Sequence, residues 1–153
     1  MKILKAIANL YIYIIRGTPM LVQILIIYFG LGQMLRPTGF RWLNIGGTFT
    51  AGTVALSLNA GAYMAEIVRG GIEAVDKGQI EAARSLGLTY GKTKKKIVLP
   101  QALRTMLPSI INQFIISIKD TSLLSVIGLT ELTNVGKTIA ATKSAHMLSL
   151  IHI

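Results

Sequence analysis

Apolar residues in this 153-residue chain fall into long blocks, not a strict alternation with polar ones. The first block, Leu10 to Ile15, is interrupted by Arg16-Gly17-Thr18-Pro19. The second, Met20 to Leu35 (MLVQILIIYFGLGQML), contains no formal charge. Counted from Pro19, it predicts a helix of roughly 25 Å at 1.5 Å per residue. That is slightly short of the ~30 Å hydrocarbon core but within the range of a membrane span. Pro19 suits the first turn, where its missing N–H costs nothing, and Tyr28 and Phe29 suit the membrane–water interface. Arg36 to Thr48 reads as a loop broken by Pro37, Gly39, Gly46 and Gly47. Phe49 to Met64 (FTAGTVALSLNAGAYM) predicts a second span, rich in the small residues that let membrane helices approach closely. Leu107 to Ile118 is apolar but short and stops at Lys119-Asp120, and a weaker run resumes from Leu123 to Leu132. One span is expected there.

Composition agrees with a membrane protein. Hydrophobic residues make up 52% of the chain before its 15 glycines are counted, charged residues 14%, and the mean hydropathy is +0.58. A soluble domain is about 25% charged. Disordered, collagenous and disulfide-stapled classes are excluded, and with no cysteine so are thiolate zinc and iron–sulfur sites. The net charge of +10 arises from 16 Lys and Arg against 6 Asp and Glu. Eight of the basic residues lie between Arg69 and Arg104. Lys2, Lys5 and Arg16 precede Pro19, whereas the loop from Arg36 to Thr48 has Arg36 and Arg41 alone. The positive-inside rule places residues 69–104 and the N-terminal stretch in the cytoplasm, so the span at Pro19–Leu35 runs outward. The N-terminus lacks the pattern of a cleavable signal peptide.

Catalytic chemistry finds no support. Gly91-Lys92-Thr93 and Gly136-Lys137-Thr138 resemble the end of a phosphate-binding loop, but the glycine required five positions earlier is Leu86 or Glu131. His146 and His152 stand without a nearby carboxylate, and the scattered acids offer no triad or metal-ligand spacing. The expectation is a chain without catalytic residues or a metal site.

The informative segment is Glu81 to Pro100, EAARSLGLTYGKTKKKIVLP. Glu81 through Leu86 are helix formers, and Gly87 is a natural terminator. Thr89 is placed to N-cap a second helix through Lys96, which Pro100 should stop. Small alanines mark one face. Attraction to anionic membrane lipid accounts for Lys92, Lys94, Lys95 and Lys96 without any protein partner.

The order E-A-A, three residues, G, nine residues, I-x-L-P is filled by Glu81, Ala82, Ala83, Gly87, Ile97, Leu99 and Pro100. It resembles the cytoplasmic signature of the membrane subunits of ABC-type importers. RGTPMLVQ (Arg16–Gln23), GAYMAEIVRGGI (Gly61–Ile72), KGQIEAA (Lys77–Ala83) and KDTSLLSVI (Lys119–Ile127) are similar to the polar amino acid uptake branch. The resemblance implies an all-α, polytopic helical membrane protein with a partial ABC importer type I transmembrane fold over residues 1–145, followed by a short non-family tail at 146–153. It implies a permease subunit, not an enzyme, of an ATP-driven importer of polar amino acids in the bacterial inner membrane. No cofactor is expected in this chain, since ATP would be bound by partner ATPase subunits. An extracytoplasmic substrate-binding protein and a second permease, identical or a sister chain, complete the implied assembly. The loop's first short helix would dock on the ATPase, with Ala82 and Ala83 permitting close approach, Glu81 supplying a polar contact and Gly87 the turn. Family members have five spans; the chain lacks the first and last, which suggests a fragment.

Polar groups at membrane depth are expensive unless they line a path or pair with one another. Gln23, Asn59, Asn112 and Gln113 are candidates for contacting a polar substrate, although for each of them a hydrogen bond across a helix interface is the favoured reading. Glu66 and Arg69, three apart, suit an ion pair at the end of a span. Thr121 and Ser122 suit the cap of a short helix after Asp120. Two rival functions are a permease for another small solute, against which RGTP and KDTSL argue, and a basic membrane-associated or nucleic-acid-binding protein. The latter needs aromatics interleaved with basic residues, which Lys92–Lys96 lacks, so no nucleic acid partner is expected.

Overall fold

The computed structural model describes residues 2–143, and all regular structure among them is helical. The proposed tail at 146–153, with both histidines, lies outside the described residues. We number six helices: α1 Lys2–Arg16, α2 Met20–Met34, α3 Gly47–Glu73, α4 Lys77–Ser85, α5 Tyr90–Ile127 and α6 Leu132–Lys143. α5 is long and apolar enough to cross a membrane, and α1 with α2 meets the same criterion when the two are joined across their break. α3 has the 27 residues needed but is too polar on average to qualify. Its mean is lowered by Gly, Ser and Thr and by Asn59 and Glu66, and its buried face is of small residues with one amide: Ala51, Gly52, Ala55, Asn59 and Ala62 recur at helical spacing.

The chain forms two compact units. One comprises Met1–Tyr13 and Ala60–Ile115, the other Ile14–Asn59 and Ile116–Ile153. In the first, Val75, Val98, Ala102 and Met106 form the core, with Ile67, Ile80 and Ile110 packed against it. The close approach of α3 to α5 depends on Gly71, where an added Cβ would meet Met106 Cβ at 2.9 Å and the Ala102 carbonyl oxygen at 3.3 Å. In the second unit, Ile24, Ile27, Ala55, Leu124 and Ile127 are buried together. The loop after α2 is pinned by Trp42, whose indole Nε1 donates to the Tyr28 carbonyl at 2.9 Å. Tyr28 lies in a π-helical stretch, Ile26–Leu31. Such a stretch loosens the regular ladder and leaves carbonyls open to outside donors.

Two expectations fail at the prolines and caps of α5. Pro100 does not end a helix: α5 runs on through it and through Pro108. A proline ring clashes with the carbonyl four residues back, here that of Lys96. The clash is relieved by a π-helical turn at Lys94–Val98, where the Leu99 N–H reaches the Lys94 carbonyl five residues back. The span expected from Leu107 is therefore longer than hydropathy suggested. At its far end the α-helical part stops at Asp120, as expected, and a 3-10 turn covers Thr121–Ile127. Thr121 does not cap it: its hydroxyl donates to the Ile118 carbonyl at 2.6 Å.

Gly71→Leu should overpack this crossing and lower stability by about 1–3 kcal/mol, read as an earlier thermal unfolding midpoint in detergent. Gly70→Ala, where a Cβ meets nothing within 4 Å, should leave the midpoint unchanged or slightly raised. Equal effects of the two substitutions would contradict the close-contact role of Gly71.

Candidate functional site

The segment bearing the E-A-A signature is built by two helix ends. Asp76 caps α4, its Oδ1 accepting from the Gly78 N–H at 2.7 Å. At the other end Gly87 takes φ +81°, in the left-handed region. There the Gly87 N–H donates to the Arg84 carbonyl (2.9 Å) and the Leu88 N–H to the Ala83 carbonyl (3.2 Å). This pair of bonds is the Schellman arrangement, which satisfies carbonyls that a helix end leaves open. Helix termination at Gly87 is thus as expected. Thr89 does sit at the start of α5 in extended conformation, but its side chain makes no capping hydrogen bond. Its carbonyl instead accepts from the Thr93 N–H and hydroxyl.

Between α4 and the first turns of α5 lies an open hollow of about 460 Å³, lined by Asp76, Gly78 and Gln79 at the start of α4, by Ala82, Ala83, Leu86 and Leu88 at its end, and by Ile97 of α5. Ala83 is buried at its floor, whereas Glu81, Ala82 and Gly87 are exposed and Ile97 is half-buried. Leu86 is 82% exposed, an apolar tip on the turn. Leu99 and Pro100 are exposed on α5, away from the hollow's lining. α4 is further tied to α5 by Gln101 Nε2, which donates to Gln79 Oε1 at 2.7 Å. Asp76, Leu86 and Leu88 join the site without having stood out in the sequence. Asp76 followed three residues later by Gln79 is a capping signal, and leucines flanking a turn glycine mark an exposed apolar point.

The polar candidates separate into two groups. Gln23 and Asn59 are both buried and meet: Asn59 Nδ2 donates to Gln23 Oε1 at 2.9 Å. The Gln23 amide nitrogen donates to the carbonyls of Ile15 (2.7 Å) and Thr18 (3.0 Å) and to Thr18 Oγ1 (2.9 Å). Gln23 thus satisfies carbonyls at the break between α1 and α2. On α5, Gln113 is buried while its neighbour Asn112 is exposed. Glu66 and Arg69 form the ion pair their spacing suggested. Neither glycine-lysine-threonine string forms a phosphate cradle. Each lies on a helix, with the Thr93 and Thr138 hydroxyls donating to carbonyls four residues back.

The family model of the binding-protein-dependent transport system inner membrane component matches residues 1–151. The chain belongs to this family. It is 49% identical over 135 residues to the glutamine transport system permease protein GlnP of Escherichia coli strain K12, covering 88% of this chain and 59% of that protein. It is 48% identical over 123 residues to the arginine transport system permease protein ArtQ of Bacillus subtilis strain 168, covering 80% of this chain and 53% of that one. The crystal structure of an amino acid ABC transporter with histidines superposes with a TM-score of 0.86 at 42% identity, covering 99% of this chain and 67% of its counterpart. The fold is therefore that of the type I importer membrane subunit. The chain spans between half and three-fifths of the length of these curated relatives.

Replacing Gln23 by Leu strips a donor from the carbonyls of Ile15 and Thr18 and should cost about 1–3 kcal/mol. A double-mutant cycle of Gln23→Leu with Asn59→Leu should give a coupling of roughly 0.5–2 kcal/mol, measured by unfolding in detergent. A coupling of zero would deny the pair its structural role.

Proposed function

We propose that this chain is a permease subunit of an ATP-driven importer of polar amino acids, coupled to a cytoplasmic ATPase through residues 81–100. The observation that carries the proposal is the E-A-A helix itself. It is a short, capped helix ended by a left-handed glycine, with an exposed leucine at its tip and an open hollow of mixed polarity behind it. A rigid short helix offering an apolar point and small side chains is suited to insertion into a groove on a partner. Glu81 and Ala82, both exposed, face such a partner, while Ala83 lets α4 pack closely. Ile97, Leu99 and Pro100 belong to the stem that carries the motion into α5. ATP-driven closure of the partner would then move α5 as a rigid body and switch access.

The basic residues between 69 and 104 support a multi-pass topology with this loop in the cytoplasm. ATP belongs to the partner ATPase and no other cofactor is assigned. An external substrate-binding protein and a second permease, identical or sister, complete the assembly. Glutamine and arginine systems match at nearly equal identity, which supports the substrate class without choosing a member. Among the candidates for the path, the Gln23 amide is committed to three acceptors and Asn59, so we assign those two to holding the break after α1. Asn112 and Gln113 keep the path role.

Gly87→Val forces a β-branched residue into left-handed backbone, a strain of about 1–2 kcal/mol. ATPase subunit co-purifying with the permease should fall about 5- to 30-fold, with membrane insertion unchanged. Gly87→Asn, which tolerates this conformation, should retain most of the association. Full co-purification with the Val variant would count against docking through this turn.

A further inference from the structure

A second cleft, sharing no lining residue with the hollow just described, lies in the same compact unit. It has a volume of about 300 Å³ and is lined by Ile72 of α3 and by Gly91, Lys94, Lys95, Val98 and Leu99. The five α5 residues recur at positions one, four, five, eight and nine, a single helix face. Most of the lining is apolar, with two ammonium groups at its edge. Gly91 leaves the near end open, since an added Cβ there meets nothing within 4 Å. Lys94 Nζ rests 4.6 Å from the centre of the Tyr90 ring, a cation–π contact that holds the charge beside the cleft. Neither Lys94 nor Lys95 forms an ion pair with a carboxylate among the described residues.

We propose that this cleft, at the cytoplasmic membrane surface where the span-length helix begins, binds one anionic phospholipid, with the end of an acyl segment against Ile72, Val98 and Leu99 and the phosphate between Lys94 and Lys95. The volume sits at the small end of ligand pockets, enough for part of a chain and not for a bulky soluble ligand. Charge complementarity selects the headgroup, and the apolar wall selects the tail. Lys92 and Lys96 of the same cluster do not line the cleft, so the site distinguishes two lysines from their neighbours where diffuse attraction to a charged surface does not. The proposal needs the membrane setting that family membership supplies and does not rest on ATPase coupling, so its failure leaves the transport reading standing.

The test is native mass spectrometry of the full chain in detergent, titrated with phosphatidylglycerol and phosphatidylcholine. Each lysine near an anionic headgroup contributes about fivefold, so two give a preference for phosphatidylglycerol of roughly 25-fold. K94Q/K95Q should bring the two lipids near parity, whereas K92Q/K96Q should keep most of the preference. Gly91→Leu, which fills the cleft, should reduce binding of both lipids with helical circular dichroism unchanged. If that variant misfolds, K94Q/K95Q decides. An unchanged preference in K94Q/K95Q, or equal losses in the two double variants, overturns the proposal. So does loss of ATPase association in K94Q/K95Q with lipid preference intact, which would assign the cleft to a protein surface.

Discussion

The left-handed turn at Gly87 sets the geometry on which the rest of the loop depends. It closes α4 with two hydrogen bonds, from the Gly87 and Leu88 N–H groups to the Arg84 and Ala83 carbonyls, and reverses the chain so that α5 returns alongside. With the turn in place, Ala83 lies buried, Ile80 packs on the core of Val75, Val98 and Ala102, and Gln79 meets Gln101. A residue with a Cβ at Gly87 has room around it but not the backbone conformation. The constraint is therefore one of dihedral angle, not of packing, and it governs the direction in which Leu86 is displayed.

Two π-helical stretches show how the helices absorb local conflict. At Ile26–Leu31 the loosened ladder coincides with a carbonyl given to Trp42. At Lys94–Val98 the wider turn makes room for Pro100. In the second case the result is that the helix runs on through Pro100 instead of ending there. Within the same compact unit, α3 meets this stem at Gly71. A short capped helix, the stem that follows it and a close helix crossing are the parts on which the proposed coupling rests.

Much of this was legible in the sequence. The helical blocks, the termination at Gly87, the small-residue face of α3 and the Glu66–Arg69 pair follow from spacing and residue type, which are local properties. The continuity of α5 was not legible, because proline rules describe an isolated regular helix and the π turn that accommodates Pro100 depends on five preceding residues acting together. Thr89 held its position while its hydroxyl went unused for capping, since extended backbone at that residue suffices to start the helix. The pairing of Gln23 with Asn59 joins residues 36 positions apart; hydropathy marks each as costly in a membrane but carries no information about which partner resolves the cost. The exposure of Leu86 likewise depends on the direction set by the turn.

The chain has no cysteine, so a single Leu86→Cys substitution gives a unique reporter at the tip of the turn. The most direct measurement is its labelling by a membrane-impermeant maleimide in right-side-out and inverted vesicles, with and without the ATPase subunit. The account predicts labelling in inverted vesicles alone, and its suppression when the ATPase is bound. Labelling in right-side-out vesicles, or labelling in inverted vesicles that the ATPase leaves unchanged, would contradict it.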